Sequence, residues 1–224
     1  MKIGIFTAMQ KEAVSFLKPN TPKIQVGGFS VYTLKLDKHD AYLCCPPTVG
    51  EIGAAAACQL LISQFHVDVI LNFGVVGALT KSTTLLSTVY VESVVHYGMD
   101  LSEVDNIPAG RYGCFDDVAV PCDQTLLNKA LSVEKSPLVR CASADRFVDR
   151  QEEKTALNAQ FGAEICDMES AGILFACKFN NTPCLLVKRV SDSLCGGYSE
   201  YCDNVQDATR GFFEFAQKLA AVLE

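Results

Sequence analysis

Short apolar runs alternate with stretches of helical period along the whole chain. Residues 2–6, reading Lys-Ile-Gly-Ile-Phe, predict a buried first strand. Residues 12–17 begin a helix that Pro19 stops. Across 23–35 two short strands are expected, joined at Gly27-Gly28 as a hairpin. Residues 41–45 read as a strand ended by Pro46-Pro47, and Thr48-Val49-Gly50 then opens an Ala-rich helix over 51–65. The apolar run 67–73 predicts a strand that exits through Gly74-Val75-Val76-Gly77. Residues 87–95, with their Val, Thr and Tyr, predict another. Pro108, Gly110, Gly113 and Pro121 break any period across 98–122. Asp123 is placed to cap a helix through Leu131. A strand at 138–143, helices at 150–161 and 168–180, and a strand at 184–190 follow. One long helix over 203–223 closes the chain, with Phe212, Phe215, Leu219 and Val222 at helical spacing.

This alternation predicts the α/β class: a single domain over 1–224, built as a three-layer αβα sandwich with a mixed central sheet. The hairpin and the β-rich segment argue against an all-parallel sheet. No repeat, linker or low-complexity segment interrupts it. At 224 residues and 49% apolar, the chain can bury a substantial core.

Charge and cysteine usage narrow the class of function. A net charge of −7 lacks the electrostatic footprint of a nucleic-acid partner. No apolar run reaches the ~18 residues of a membrane span, and no signal-peptide pattern precedes the first strand. The expectation is a cytoplasmic protein that uses neither membrane nor nucleic acid. The 11 cysteines are irregularly spaced and make no zinc pattern. They read as reduced core thiols, with Cys195 the most open to reaction.

The candidate chemistry lies in carboxylates at strand ends. Glu12 follows the first strand, Asp167 and Glu169 flank Met168 where an apolar run meets a helix, and Asp192 follows the run 184–187. In open α/β sheets the strand ends line the ligand crevice, and carboxylates there divide acid, base and hydroxyl-holding roles. Singly, each has a plainer reading: a solvated first-turn acid for Glu12, a cap or turn for Asp192, helix-dipole acids for Asp167 and Glu169. Their joint placement favours a site. His39 and His66 read as surface turn residues, whereas His96 is a candidate to face a pocket.

Several segments resemble the bacterial 5′-methylthioadenosine/S-adenosylhomocysteine nucleosidases, within the nucleoside phosphorylase/nucleosidase superfamily. Residues 1–12 are similar to the start of that family, and Thr48-Val49-Gly50-Glu51-Ile52-Gly53-Ala54-Ala55 to the opening of its first long helix. Asp68-Val69-Ile70-Leu71-Asn72-Phe73-Gly74 and Ser143-Ala144-Asp145-Arg146-Phe147-Val148 resemble two further motifs. Asp167-Met168-Glu169-Ser170-Ala171 resembles the ribose motif, and Ser191-Asp192 the catalytic pair.

The resemblance implies a purine nucleosidase without metal or organic cofactor. Glu12 would activate water and Asp192 would protonate the purine at N7. Glu169 and the Met168 backbone would clamp the ribose hydroxyls. Phe147 would stack on the base, Val148 would read its edge through the backbone, and Met9 would wall the ribose. Val75, Asp167, Ser191 and Tyr198 complete the expected substrate-binding set, with Tyr198 toward the 5′ group. Val75 stands where the family commonly has Ser, and Lys188 where it commonly has Arg, with Arg189 beside it. These cations are candidates to position water or an anion. A homodimer is also implied, with Met99, Leu101 and Ile107 toward the neighbouring subunit. A phosphate-using phosphorylase and a non-catalytic nucleoside-binding protein are the alternatives.

Overall fold

The computed structural model describes residues 1–223. Strand β1 (Lys2–Phe6) leads into the short helix α1 (Gln10–Ala13), and a 3-10 turn follows at Val14–Phe16. Then come β2 (Lys23–Val26), β3 (Phe29–Leu36), β4 (His39–Cys45) and α2 (Glu51–Phe65). After β5 (Val69–Ala78) and β6 (Thr88–His96), the region read as loop holds α3 (Ser102–Asp105) and β7 (Val120–Pro121). The rest comprises α4 (Gln124–Val133), β8 (Leu138–Ser143), α5 (Gln151–Phe161), β9 (Ile165–Asp167), α6 (Ser170–Phe179), β10 (Cys184–Asp192), α7 (Tyr198–Ala208) and α8 (Phe212–Val222).

The mixed α/β class holds, but the sheet is not the flat middle layer of a sandwich. β5, β9, β8, β6 and β10 pair in succession, and β10 pairs back onto β5, so five strands close into a ring. β1, β4, β3 and β2 extend outward from β5, and β7 adds to β6. The cause is the length and shape of β5. Of its 10 residues, Ile70 through Gly77 pair with β10 along one edge. On the other edge its first half pairs with β1 and its end with β9. Register shifts at Val91/Ser93 and Val190/Asp192 add the local twist of a bulge. Gly77 lets the strands draw together: a Cβ there would sit 2.9 Å from Asp192 Oδ2 and 3.3 Å from Cys166 Sγ. The expected strand exit at Gly74–Gly77 is therefore the second half of a strand paired on both edges.

Two smaller expectations fail. The long closing helix is α7 and α8, broken at Gly211, whose φ of 85° belongs to the left-handed region. His39 is buried rather than at a surface turn, with its Nε2 at 3.2 Å from the Leu223 carbonyl. The hairpin between β2 and β3 is present, turning at Gly27 with φ 55°.

Helix packing explains how the site is held. α2 buries Ala54, Ala57 and Cys58 and packs against α6. Contact is so close at their N-terminal ends that a Cβ on Gly172 would meet the Glu51 carbonyl at 2.4 Å. Eight cysteines are buried and Cys114, Cys195 and Cys202 are exposed; all are free thiols. No helix among the described residues is long and apolar enough to cross a membrane.

Candidate active site

A cavity of about 410 Å³ opens where β5, β9 and β10 end. Glu12, Met9, Val75, Phe147, Val148, Met168, Glu169, Ser191, Asp192 and Tyr198 all line it.

Glu12 is 1% exposed, not a solvated helix acid. Its Oε2 accepts the Met9 amide at 2.9 Å and its Oε1 the Val75 amide at 3.3 Å. Val75 thus serves through its backbone, with no need of a side-chain donor. Burial raises the Glu12 carboxyl above its ordinary value, against the lowering effect of the Met9 amide and the nearby Lys188 ammonium. The group is a rigidly held carboxylate of enhanced basicity.

Asp192 ends β10 and is 2% exposed. Its Oδ2 accepts from Lys154 Nζ at 2.5 Å, and its Oδ1 lies 2.9 Å from the Ser191 hydroxyl. Burial lifts this carboxyl above the usual range, although Lys154 and then Ser191 pull it down. Glu169 accepts the Gly50 amide at 2.8 Å; burial, then the neighbouring Asp167 charge, push it up to about 7.

Three predicted members of the site have other work. Asp167 borders the cavity, but its oxygens are committed to the protein. Oδ1 takes the Ser143 hydroxyl at 2.7 Å and the Ser170 amide at 3.2 Å, while Oδ2 takes Ser170 Oγ at 2.5 Å and Lys188 Nζ at 2.7 Å. Lys188 is buried and bound there, outside the cavity wall. Arg189, next along the strand, points to the opposite side, where it donates to the carbonyls of Leu86 and Arg210. Neither cation is a free anion ligand. His96 also lies outside the wall, its Nδ1 2.6 Å from the Tyr112 hydroxyl.

Four participants escaped the sequence reading. Lys154 follows two glutamates in α5 and has no pattern to separate it from a surface lysine. Tyr201 lines the cavity, donates to Met9 Sδ at 3.5 Å and accepts from Lys11 Nζ at 2.6 Å. Tyr198, which the sequence does name, is 64% exposed, its ring stacked near Tyr201. Ser143 and Glu51 form the support behind Asp167.

Ser143 has one hydroxyl proton, yet its Oγ lies 2.6 Å from Glu51 Oε1 and 2.7 Å from Asp167 Oδ1. One carboxyl must carry its own proton and donate it to the serine. Asp167 is the ionised partner: burial opposes its charge, but Lys188 and the Ser170 and Ser143 hydroxyls outweigh burial and hold it below the usual range. Glu51 is the protonated one, pushed up to about 8 by burial and then by Asp167. Its Oε2 accepts the Gly172 amide. Because folding raises this group from its ordinary 4.5 to about 8, its stabilising contribution is complete below the former and is lost as pH rises through the latter. Glu51→Gln reproduces the neutral acid, its amide donating to Ser143 and its carbonyl accepting from Gly172. Urea midpoints for Glu51→Gln should decline less between about pH 5 and 8 than those of the parent. Glu51→Leu leaves the buried Gly172 amide without its acceptor, while Ser143 keeps Asp167 and the Ala171 amide, and should cost about 1–3 kcal/mol. An identical pH slope in Glu51→Gln and parent would refute the assignment of that proton.

Among the described residues no group of three or more His, Cys, Asp and Glu side chains is arranged to hold a metal ion. A sequence model described as the phosphorylase superfamily matches residues 2–223. The chain belongs to the phosphorylase superfamily. Two curated relatives within reach are nucleosidases. The aminodeoxyfutalosine nucleosidase of Campylobacter jejuni is 25% identical over 199 residues, covering 86% of each chain. The 5′-methylthioadenosine/S-adenosylhomocysteine nucleosidase of Staphylococcus saprophyticus is 27% identical over 200 residues, covering 85% of this chain and 86% of its own. Among solved structures, that nucleosidase from Helicobacter pylori with butyl-thio-DADMe-Immucillin-A superposes with a TM-score of 0.92 at 22% identity, covering 99% of this chain and 98% of its own. The likeness extends the superfamily fold to the closed ring and the outer strands alike.

Proposed function

We propose that this phosphorylase-superfamily chain hydrolyses the N-glycosidic bond of an adenine nucleoside carrying a modified 5′ group. 5′-Methylthioadenosine, S-adenosylhomocysteine and aminodeoxyfutalosine, the substrates named for its relatives, are the candidates. One observation carries the reading: two buried carboxyls, Glu12 and Asp192, face a single cavity, and both are held above their ordinary acidity range. Cleavage through an oxocarbenium-like state needs a proton for the departing base and a nucleophile for the sugar. Asp192 gives its proton to N7 of the purine as the bond from N9 to C1′ breaks. Glu12 takes a proton from water as the water oxygen bonds to C1′. Glu169 accepts the ribose hydroxyls, and its charge favours the cationic sugar. Phe147 and Val148 receive the base, and Met9 and Met168 enclose the sugar.

Hydrolysis is favoured over phosphorolysis by what surrounds Glu12. Lys188 is already paired with Asp167 and Arg189 faces away, so the buried carboxylate would meet an incoming phosphate with no uncommitted buried cation beside it. A panel of purine nucleosides, with free base measured by chromatography with and without phosphate, tests this. Turnover that requires phosphate would replace the nucleosidase by a phosphorylase; tight binding without base release would replace it by a binding protein.

Tyr201, rather than Tyr198, is assigned to the 5′ group, because its hydroxyl reaches Met9 on the ribose wall. Tyr201→Phe should raise the ratio of kcat/KM for 5′-methylthioadenosine over adenosine by about 3–30-fold, since a hydrogen bond is lost only for the polar 5′ group. An unchanged ratio would take Tyr201 out of that role. The chain is also assigned a homodimer, which would cover the exposed Ile52 and Val104 and the half-buried Met99, Leu101 and Ile107. Light scattering at assay concentration decides it.

A further inference from the structure

We infer that Lys154 is the positioning residue of the acid: by occupying Asp192 Oδ2 it confines the transferable proton to Oδ1 and fastens that carboxyl to the loop that follows β10. Its side chain is completely buried and comes from the first turns of α5, an element that contributes nothing to the cavity wall. The three protons of an ammonium meet three acceptors. These are Asp192 Oδ2 at 2.5 Å, the Ser193 carbonyl at 2.7 Å and the Gly196 carbonyl at 3.2 Å. A lysine satisfied this fully is a fixed joint.

The other oxygen shows where the proton goes. Ser191 Oγ lies 3.2 Å from the Val76 carbonyl and 2.9 Å from Asp192 Oδ1. While Asp192 is ionised the serine gives its single proton to Oδ1, which is how it pulls the carboxyl down. Once Oδ1 is protonated the serine turns that proton to the Val76 carbonyl, which only accepts, and itself accepts from Oδ1. Oδ2 meanwhile receives the ammonium and is a poor place for a second proton. The carboxyl is thus held at both ends, with its acidic hydrogen on a known oxygen before substrate arrives. The same ammonium grips the loop leading into α7, which carries Tyr198 and Tyr201 into the cavity wall. Glu200 Oε2 reinforces the loop by accepting the Ser193 amide, and Asp149 by accepting the Tyr198 amide at 2.7 Å.

The groups that face Asp192 are Lys154 from α5, Glu200 from α7 and the Cys166 thiol from β9; β5 presents only Val76 and Gly77. Lys154 is the one cation among them. Its removal should therefore raise the pH at which Asp192 loses its proton.

The kinetic part of this inference rests on the nucleosidase reading, so the experiment has an arm that needs no turnover. Carbon-13 NMR of the aspartate carboxyls, with Asp192→Asn for assignment, follows the titration of Asp192 in the parent and in Lys154→Gln. The midpoint should rise by about one pH unit or more in Lys154→Gln, and the alkaline limb of kcat should rise with it. An unmoved midpoint, or a moved midpoint with an unmoved limb, overturns the role. Lys154→Arg keeps the charge but offers a planar fork to three convergent acceptors. It should lose about tenfold or more in kcat with a smaller change in KM. Parental kcat in Lys154→Arg would overturn the positioning claim, even if Lys154→Gln did not fold. A parent that releases no base from any nucleoside in the panel would end the nucleosidase reading and leave the NMR result to judge the lysine.

Discussion

Asp192→Asn is expected to lower base release by about 10²–10⁴-fold while leaving the fold and nucleoside binding close to normal. The amide matches its surroundings. Its carbonyl can face Lys154 in place of Oδ2, and its NH₂ can donate to Ser191, which still donates to Val76. What the amide lacks is a proton to give the leaving purine. Single-turnover release of adenine from 5′-methylthioadenosine, with binding measured by calorimetry, separates the two effects. Base release at the parental rate would end the general-acid assignment. In the parent, the acid must be protonated to act, so activity falls as pH rises through its value; burial sets that fall above the ordinary carboxylate range.

Glu12→Gln should reduce hydrolysis by a similar factor of about 10²–10⁴. It should also carry a stability cost that Asp192→Asn does not. Each Glu12 oxygen accepts a backbone amide, so a glutamine must turn its NH₂ toward either Met9 or Val75. One buried donor then loses its acceptor, worth about 1–3 kcal/mol. Chemical denaturation and turnover in phosphate-free buffer are the measurements. Rapid hydrolysis by a folded Glu12→Gln protein would mean that another group activates the water. Because burial raises the parental base, activity should fade on the acid side at a higher pH than an ordinary glutamate would give.

The residues that were legible in the chain are those whose chemistry is local. Glu12, Glu169 and Asp192 sit at strand or helix boundaries that apolar runs mark plainly, and the hairpin announces itself at Gly27-Gly28. Lys154 was not legible, because its partner is 38 positions away and only the closed ring brings them together. Asp167 and Glu51 were invisible as a pair for the same reason: a single serine from a third element joins them. Lys188 and Arg189 show the opposite difficulty. Strand alternation guarantees that one of them faces away, yet the sequence does not say what the inward one will meet. The ring itself was hidden in β5. Its Gly74 and Gly77 read as punctuation, while the pairing that carries the strand through them is entirely non-local.

The start of α6 has a consequence for exchange with solvent. First-turn amides of a helix ordinarily lack acceptors and exchange with water quickly. Here Ser170 N–H is taken by Asp167, Ala171 N–H by Ser143, Gly172 N–H by Glu51 and Ile173 N–H by the Glu169 carbonyl. Those acceptors belong to β9, β8, α2 and the helix's own cap, so the turn cannot fray alone. In deuterium uptake these amides should behave as part of the slowest-opening unit of the protein. The Met168–Glu169 wall that precedes them then keeps its shape between one substrate and the next.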